Sequence, residues 1–236
     1  MAAGGQHRLA TGPLTLAMTE LLEHPEAESP IQGAKGQIRQ ANEALILQAA
    51  ERVFSGAGFG GATMAAIAEA AGLPKANLHY YFGSKRELYR AVLDRTLRNW
   101  LAPAHGITPE ADPRTALEAY IREKMRQSVA HPHASRVFAN ELLHGAPELQ
   151  ELLHQILRPL VLEKAAVIDA WIAQGRMAPV DSVHLFFTIW SATQTYADFD
   201  VQVRAVLGVD DMSPAAQRRA SDHVVQLLLR GCGLAD

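Results

Sequence analysis

An all-α architecture is predicted: a small N-terminal three-helix unit followed by a larger helical remainder. Two observations carry this reading. Everything beyond Lys85 that shows a period shows the helical one, with apolar residues three and four apart. Residues 63–85, TMAAIAEAAGLPKANLHYYFGSK, read as two short helices joined by a tight turn.

Residues 1–37 are rich in Ala, Gly, Glu and Pro and lack a sustained period, so they are predicted to form a disordered leader, with room for a short helix at 14–23. QANEALILQAAERVFSGAGF then gives a first helix whose apolar stripe is read as Leu45, Ala49, Val53 and Phe54. Gly56, Gly58 and Gly61 spell G-x-G-x-x-G. A dinucleotide site would need a strand before that run and a helix opening at it; a helix precedes it instead, so the glycines are read as closing the first helix. Thr63 is an N-cap, and Met64, Ile67 and Ala71 supply one buried face. Gly72 ends that helix, with Leu73 beneath the turn and Pro74 at the next first helical position. Leu78, Tyr81 and Phe82 then share one face, Ala76 and Tyr80 the other, with Asn77 and His79 on the flanks.

Ser84, with Glu87 three residues on, forms a capping box for a fourth helix to about 102. Further helices are predicted over ADPRTALEAYIREKMRQSVAH, HASRVFANELLHG and ELQELLHQILRPLVLEKAAVIDAWIAQG, the last kinked or divided by Pro159 and ended by Gly175. DSVHLFFTIWSATQTYADF is almost apolar all round and so belongs in a core or an interface. SPAAQRRASDHVVQLLLRG closes the chain, with Val224, Leu227 and Leu228 as its stripe.

The charge distribution sharpens this picture. The net charge is −3, yet residues 34–100 carry nine basic and five acidic side chains. A basic block around two short helices is the footprint expected for phosphate binding, and a second helix with small and polar outward residues suits a DNA major groove. Lys35 and Arg39 precede the first helix and could reach the backbone or the minor groove. Thr63, Lys75, Tyr81 and Lys85 are predicted to hold phosphates, and Ala76, Asn77, Tyr80 and His79 to face base edges.

Thr63, Ile67-Ala68, Ala71-Gly72-Leu73, Tyr81-Phe82 and Ser84-Lys85 together resemble the TetR family of bacterial repressors. His79 departs from the tyrosine many members carry there. Further on, YIREKM, PHASRVFANELLHGAP, KAAVIDAWIAQGRMAPVD and IWSATQTYADFDVQV are similar to the pyrimidine-utilisation, uracil-responsive branch, the likeness covering roughly residues 38–207. The resemblance implies a helix-turn-helix DNA-binding domain at 38–84 and a ligand-binding and dimerisation domain at 85–236. It also implies a homodimer on a palindromic operator in double-stranded DNA, released when a small molecule, uracil or thymine in this branch, binds. The dimer is expected to form through helices near 182–196 and 213–230, and the fourth helix is expected to link the two domains.

Uracil is flat and uncharged, with two carbonyl acceptors and two N–H donors, and needs apolar walls with a few aimed polar groups. Trp190 and Gln194, four apart, point the same way. Lys124 and Arg136 could donate to carbonyls, and Tyr196, Asp198 and Phe199 complete the cluster. Each has an ordinary alternative: the tryptophan as core, the lysine and arginine as salt-bridged surface. The ligand could equally be an unrelated small apolar or aromatic molecule.

Ten histidines are scattered and one cysteine, Cys232, is present, so no metal site and no intrachain disulfide framework is expected. An enzyme reading would rest on the Gly56–Gly61 loop, but there is no strand scaffold, G-x-S-x-G elbow or P-loop, so neither enzymatic activity nor a cofactor is expected. No apolar run approaches the roughly 20 residues of a membrane span. A cytoplasmic regulator is the expectation.

Overall fold

The computed structural model describes residues 30–234. Among these the chain is helical, with no strand. It divides into two units, Met1–Gln40 and Ala41–Asp236. The described part of the first is the start of α1 (Pro30–Gly61). The leader expected over 1–37 lies outside the described residues as far as 29, as does the short helix considered at 14–23. From Pro30 the backbone is already helical, ten residues before Gln40. Gly33 and Gly36 obscured this: each glycine disfavours a helix interior by about 1 kcal/mol, a weak preference that context overrides.

In the second unit, α1 is followed by α2 (Met64–Ala71), α3 (Lys75–Phe82) and α4 (Lys85–Leu101). Gly58, at φ 67°, breaks the end of α1. Thr63 Oγ1 accepts from the Ala66 N–H at 3.1 Å, capping α2. Pro74 is the N-cap of α3 rather than its first helical residue, a shift of one position. Ser84 and Glu87 make the full capping box, with Ser84 N–H donating to Glu87 Oε2 at 2.8 Å. Gly83 precedes it at φ 63°, and a Cβ there would stand 2.5 Å from Glu87 Oε2, so glycine is needed both for the turn and for the box.

These four helices close one core. Ile46, Ala49, Ala50 and Phe54 of α1 pack with Ile67, Leu78, Leu88 and Val92. Leu45, assigned to the stripe, is instead 48% exposed. Ala49 and Phe54 of the predicted stripe are buried and Val53 packs against the core, while Ile46 and Ala50 take the place expected of Leu45, because either row of four-residue steps is apolar here. Leu97 and Leu101 of α4 belong to the same core, with Val137 and Phe138 of α6 (Pro132–Leu143).

A second core is built by α5 (Pro113–Ala130), α8 (Arg158–Ala173), α9 (Ser182–Asp198) and α11 (Pro214–Gly231), around Tyr120, Ile168, Trp171, Phe186 and Val225. The long helix predicted over 148–175 is divided, as Pro159 suggested: α7 (Gln150–Leu152) is followed by a π turn at Leu153–Leu157, then α8. Proline offers no N–H to the carbonyl four residues back and crowds it, and widening the turn relieves both. A separate short helix, α10 (Asp200–Leu207), follows a break at Phe199 and had no sequence counterpart. In α11, Leu228 and Leu229 are buried but Leu227 is 61% exposed, so it leaves the predicted stripe. No described helix is long and apolar enough to cross a membrane.

Candidate functional site

The α2–α3 pair presents the surface expected of a DNA reader. Leu78 is fully buried and anchors α3, while Lys75, Ala76, His79 and Tyr80 are exposed, Tyr80 at 74%. Asn77 is half-buried. Tyr81 is half-buried too; its hydroxyl accepts from Asn42 Nδ2 at 3.3 Å, and its ring meets Tyr80 edge to face. His79 Nδ1 lies 2.8 Å from the Gly83 carbonyl oxygen, which only accepts, so the proton sits on Nδ1 and Nε2 is left for a partner. Lys75 makes no hydrogen bond or ion pair among the described residues, and its charge is available.

Lys85 is partly engaged within the protein: two of its three ammonium N–H groups are used. Its Nζ donates to the carbonyls of Phe59 at 2.7 Å and Ala62 at 2.9 Å, and sits 4.5 Å from the centre of the Phe59 ring. The ammonium satisfies carbonyls left open where α1 ends and fixes α4 to it. Lys85→Ala is therefore expected to cost about 1–3 kcal/mol of stability, as charged hydrogen bonds do, read as a lower melting temperature without DNA.

Helix α6 holds these DNA-side helices from behind. Tyr89 of α4 donates to the buried Glu141 at 3.0 Å, and burial followed by that carboxylate pushes the Tyr89 pKa up. The other Glu141 oxygen accepts from the Glu148 N–H, and the Glu148 carboxylate takes Arg86 and Arg90. His133 Nδ1 lies 2.9 Å from the Ser55 hydroxyl of α1. α6 in turn packs on α9, so it lies in contact with α9 as well as with α4 and, through His133, α1.

A polar cluster sits in the interior where α5, α6 and α9 meet. Lys124 is 1% exposed, and its Nζ lies 4.2 Å from the centre of the Trp100 ring. No described residue hydrogen-bonds that ammonium. Burial holds its pKa down to about 7, with Asp198 opposing the shift. Asp198 accepts from Ser135 Oγ at 2.5 Å, and burial raises its pKa against Ser135, Arg136 and Lys124. Arg136 donates to the Ala197 carbonyl at 3.2 Å and stands 3.6 Å from Asp200. The Trp190 N–H is taken by the Tyr120 hydroxyl at 2.8 Å. Gln194 is half-buried and makes no side-chain hydrogen bond among the described residues.

Lys124, Arg136 and Asp198 are thus brought together, while the Trp190 N–H is already bonded to Tyr120 and leaves the ring surface of Trp190 to the cluster. Arg136 and Tyr196 line a separate open cleft of about 600 Å³, with Met125, Asp200 and Met212 among its walls. Phe199 is 57% exposed and stays out of the interior.

Comparison with known proteins decides the family. The family profile described as "Bacterial regulatory proteins, tetR family" matches residues 46–92, and that described as "YcdC-like protein, C-terminal region" matches 93–235. The HTH-type transcriptional regulator RutR of Escherichia coli K12 is 41% identical over 199 residues, 84% of this chain and 94% of that one. The chain belongs to the TetR family of bacterial transcriptional regulators. The HTH-type transcriptional repressor NicS of Pseudomonas putida is 29% identical over 84% of this chain and 96% of its own. Among solved structures, a tetR-family regulatory protein from Rhodococcus RHA1 superposes with a TM-score of 0.65 at 22% identity, covering 83% of this chain and 98% of that one. AibR, in complex with isovaleryl coenzyme A and operator DNA, gives 0.59 at 17%, covering 79% and 97%. These two show the fold.

As a TetR-family regulator the chain is no enzyme, and the glycine run is a helix ending. Three residues of this interior cluster were not singled out from the sequence: Trp100, Tyr120 and Ser135. Tyr120 and Lys124 are four apart on α5, a pairing legible in principle. Trp100 and Ser135 meet the cluster only through the packing of α4 and α6.

Proposed function

We propose that the protein is a dimeric, cytoplasmic repressor that releases a palindromic operator when a small pyrimidine, uracil or thymine, enters the interior between α5, α6 and α9. The observation that carries this is Lys124: an ammonium in the core with no hydrogen-bond partner, against an aromatic face and near a carboxylate. Such a group costs stability where it stands. Strongly shifted buried groups mark functional sites, and a ligand carbonyl supplies what Lys124 lacks. Gln194, also unpartnered, offers one donor and one acceptor for the edge of a pyrimidine ring. Calorimetry with uracil, thymine, cytosine and adenine tests the reading. Uracil or thymine should bind, and Gln194→Leu should weaken that binding about ten-fold or more while operator affinity holds. An unchanged response in Gln194→Leu sinks the pocket.

On DNA, Thr63, Lys75 and Tyr81 hold phosphates, and Ala76, Asn77, His79 and Tyr80 face bases. Lys75→Ala should weaken binding to every sequence and lower the salt slope by about 1 per protomer. A changed sequence preference at constant affinity would refute that role. The two-fold interface lies on α9 and α11, where Phe187 (47% exposed) and Leu227 turn outward; it holds the two α3 helices about 34–36 Å apart for successive major grooves. Ligand favours a dimer with another spacing, transmitted by α4 and by the α6 joints to Tyr89 and Ser55.

A further inference from the structure

We propose that α10 is an arm that docks on a second copy of this chain, its outward apolar face forming part of the two-fold interface. The inference rests on the dimer proposed above and names the element that completes it.

The polarity of α10 is inverted. Its two charged side chains are tied to this chain: Arg204 Nε donates to Asp200 Oδ2 at 3.0 Å, Arg204 Nη1 donates to the Asp210 carbonyl, and Asp200 stands 3.6 Å from Arg136. The side chains left to solvent are apolar, with Val201 at 73% and Val206 at 80% exposure and Leu207 beside them. No residue of α10 is buried. A helix of eight residues is marginal alone and is held by the packing of an apolar face. Within this chain that face of α10 is uncovered.

Two observations point to a second copy as its cover. Phe187, Ser191, Thr195 and Phe199 follow one another at four-residue steps along α9, so the row that leads out from Phe187 ends at Phe199 and passes into α10. The other observation is area. A stable dimer buries about 800 Å² on each partner around an apolar centre. Among the described residues, α9 and α11 turn only two large apolar side chains outward, Phe187 and Leu227, which cover a small part of that. Phe199, Val201, Val206, Leu207 and Val209 add five more. The outward face of α10 carries no charge, Gln202 being its one exposed polar residue. That suits a self-complementary patch between identical chains, and neither a nucleic acid nor a charged partner.

Sedimentation of the full-length protein over a dilution series tests the arm. Val201→Glu combined with Val206→Glu should raise the dimer dissociation constant about a hundred-fold, the effect of losing anchor side chains, and lower operator affinity wherever monomer appears. Both positions are exposed and glutamate favours a helix over valine, so the far-ultraviolet circular dichroism should stay that of the parent. Independently, benzoylphenylalanine in place of Val206 should link two chains on irradiation. An unchanged dissociation constant in the arm variant, or no linked chains, would overturn the inference. If Phe187→Glu with Leu227→Glu still dissociates in that case, the dimer on α9 and α11 stands without the arm. A parent protein that is monomeric throughout the series would overturn both.

Discussion

Lys124→Met raises stability near neutral pH and abolishes the effector response while operator binding persists: that is the first expected result. In the folded chain the Lys124 pKa is held to about 7 by burial, against an ordinary value of 10.5. Between those values the unfolded chain carries a proton that the folded chain has released. Stability contributed by this group therefore rises with pH from about 7 to about 10.5, and its penalty is full below about 7. At roughly 1.4 kcal/mol per pKa unit, the penalty near pH 6 is on the order of 5 kcal/mol. Methionine fills the same space without it. Thermal melts should show the variant well above the parent near pH 6, with the gap closing towards pH 10. A gap independent of pH would mean that the ammonium is not desolvated.

The second large effect concerns assembly. Phe187→Glu combined with Leu227→Glu should give a folded monomer whose operator affinity falls about a thousand-fold or more, towards the non-specific level. Both positions face outward, so the cores are spared; Leu228, at 8% exposure, is a core residue and unsuited to the test. Sedimentation and gel-shift measurements read the two halves of the claim. A monomer that still held the palindrome tightly would refute the interface on α9 and α11.

Local features were legible because their causes are local. Thr63, Gly72 and the Ser84–Glu87 box are each decided within a few residues, and each stands where the sequence placed it. The bonds of Lys85 within the protein were hidden because its partners, the Phe59 and Ala62 carbonyls, are more than 20 residues away. The same distance hid the Trp190–Tyr120 bond and the face of Trp100 under Lys124. Leu45 and Leu227 show the limit of periodicity: where neighbouring positions are both apolar, spacing leaves the buried row open by one residue. Pro159 signalled a break but not its form, because a kink and a π turn relieve the same lost hydrogen bond.

Fluorescence anisotropy of labelled operator DNA, titrated with uracil and with thymine at fixed salt, tests the central claim most directly. At saturation one of them should weaken operator binding about 5- to 150-fold, and operator should weaken its binding by the same factor, as linkage requires. In Lys124→Met the operator should bind as in the parent and stay bound at every ligand concentration. Operator affinity in the parent protein that is unchanged under saturating uracil and thymine would contradict the account.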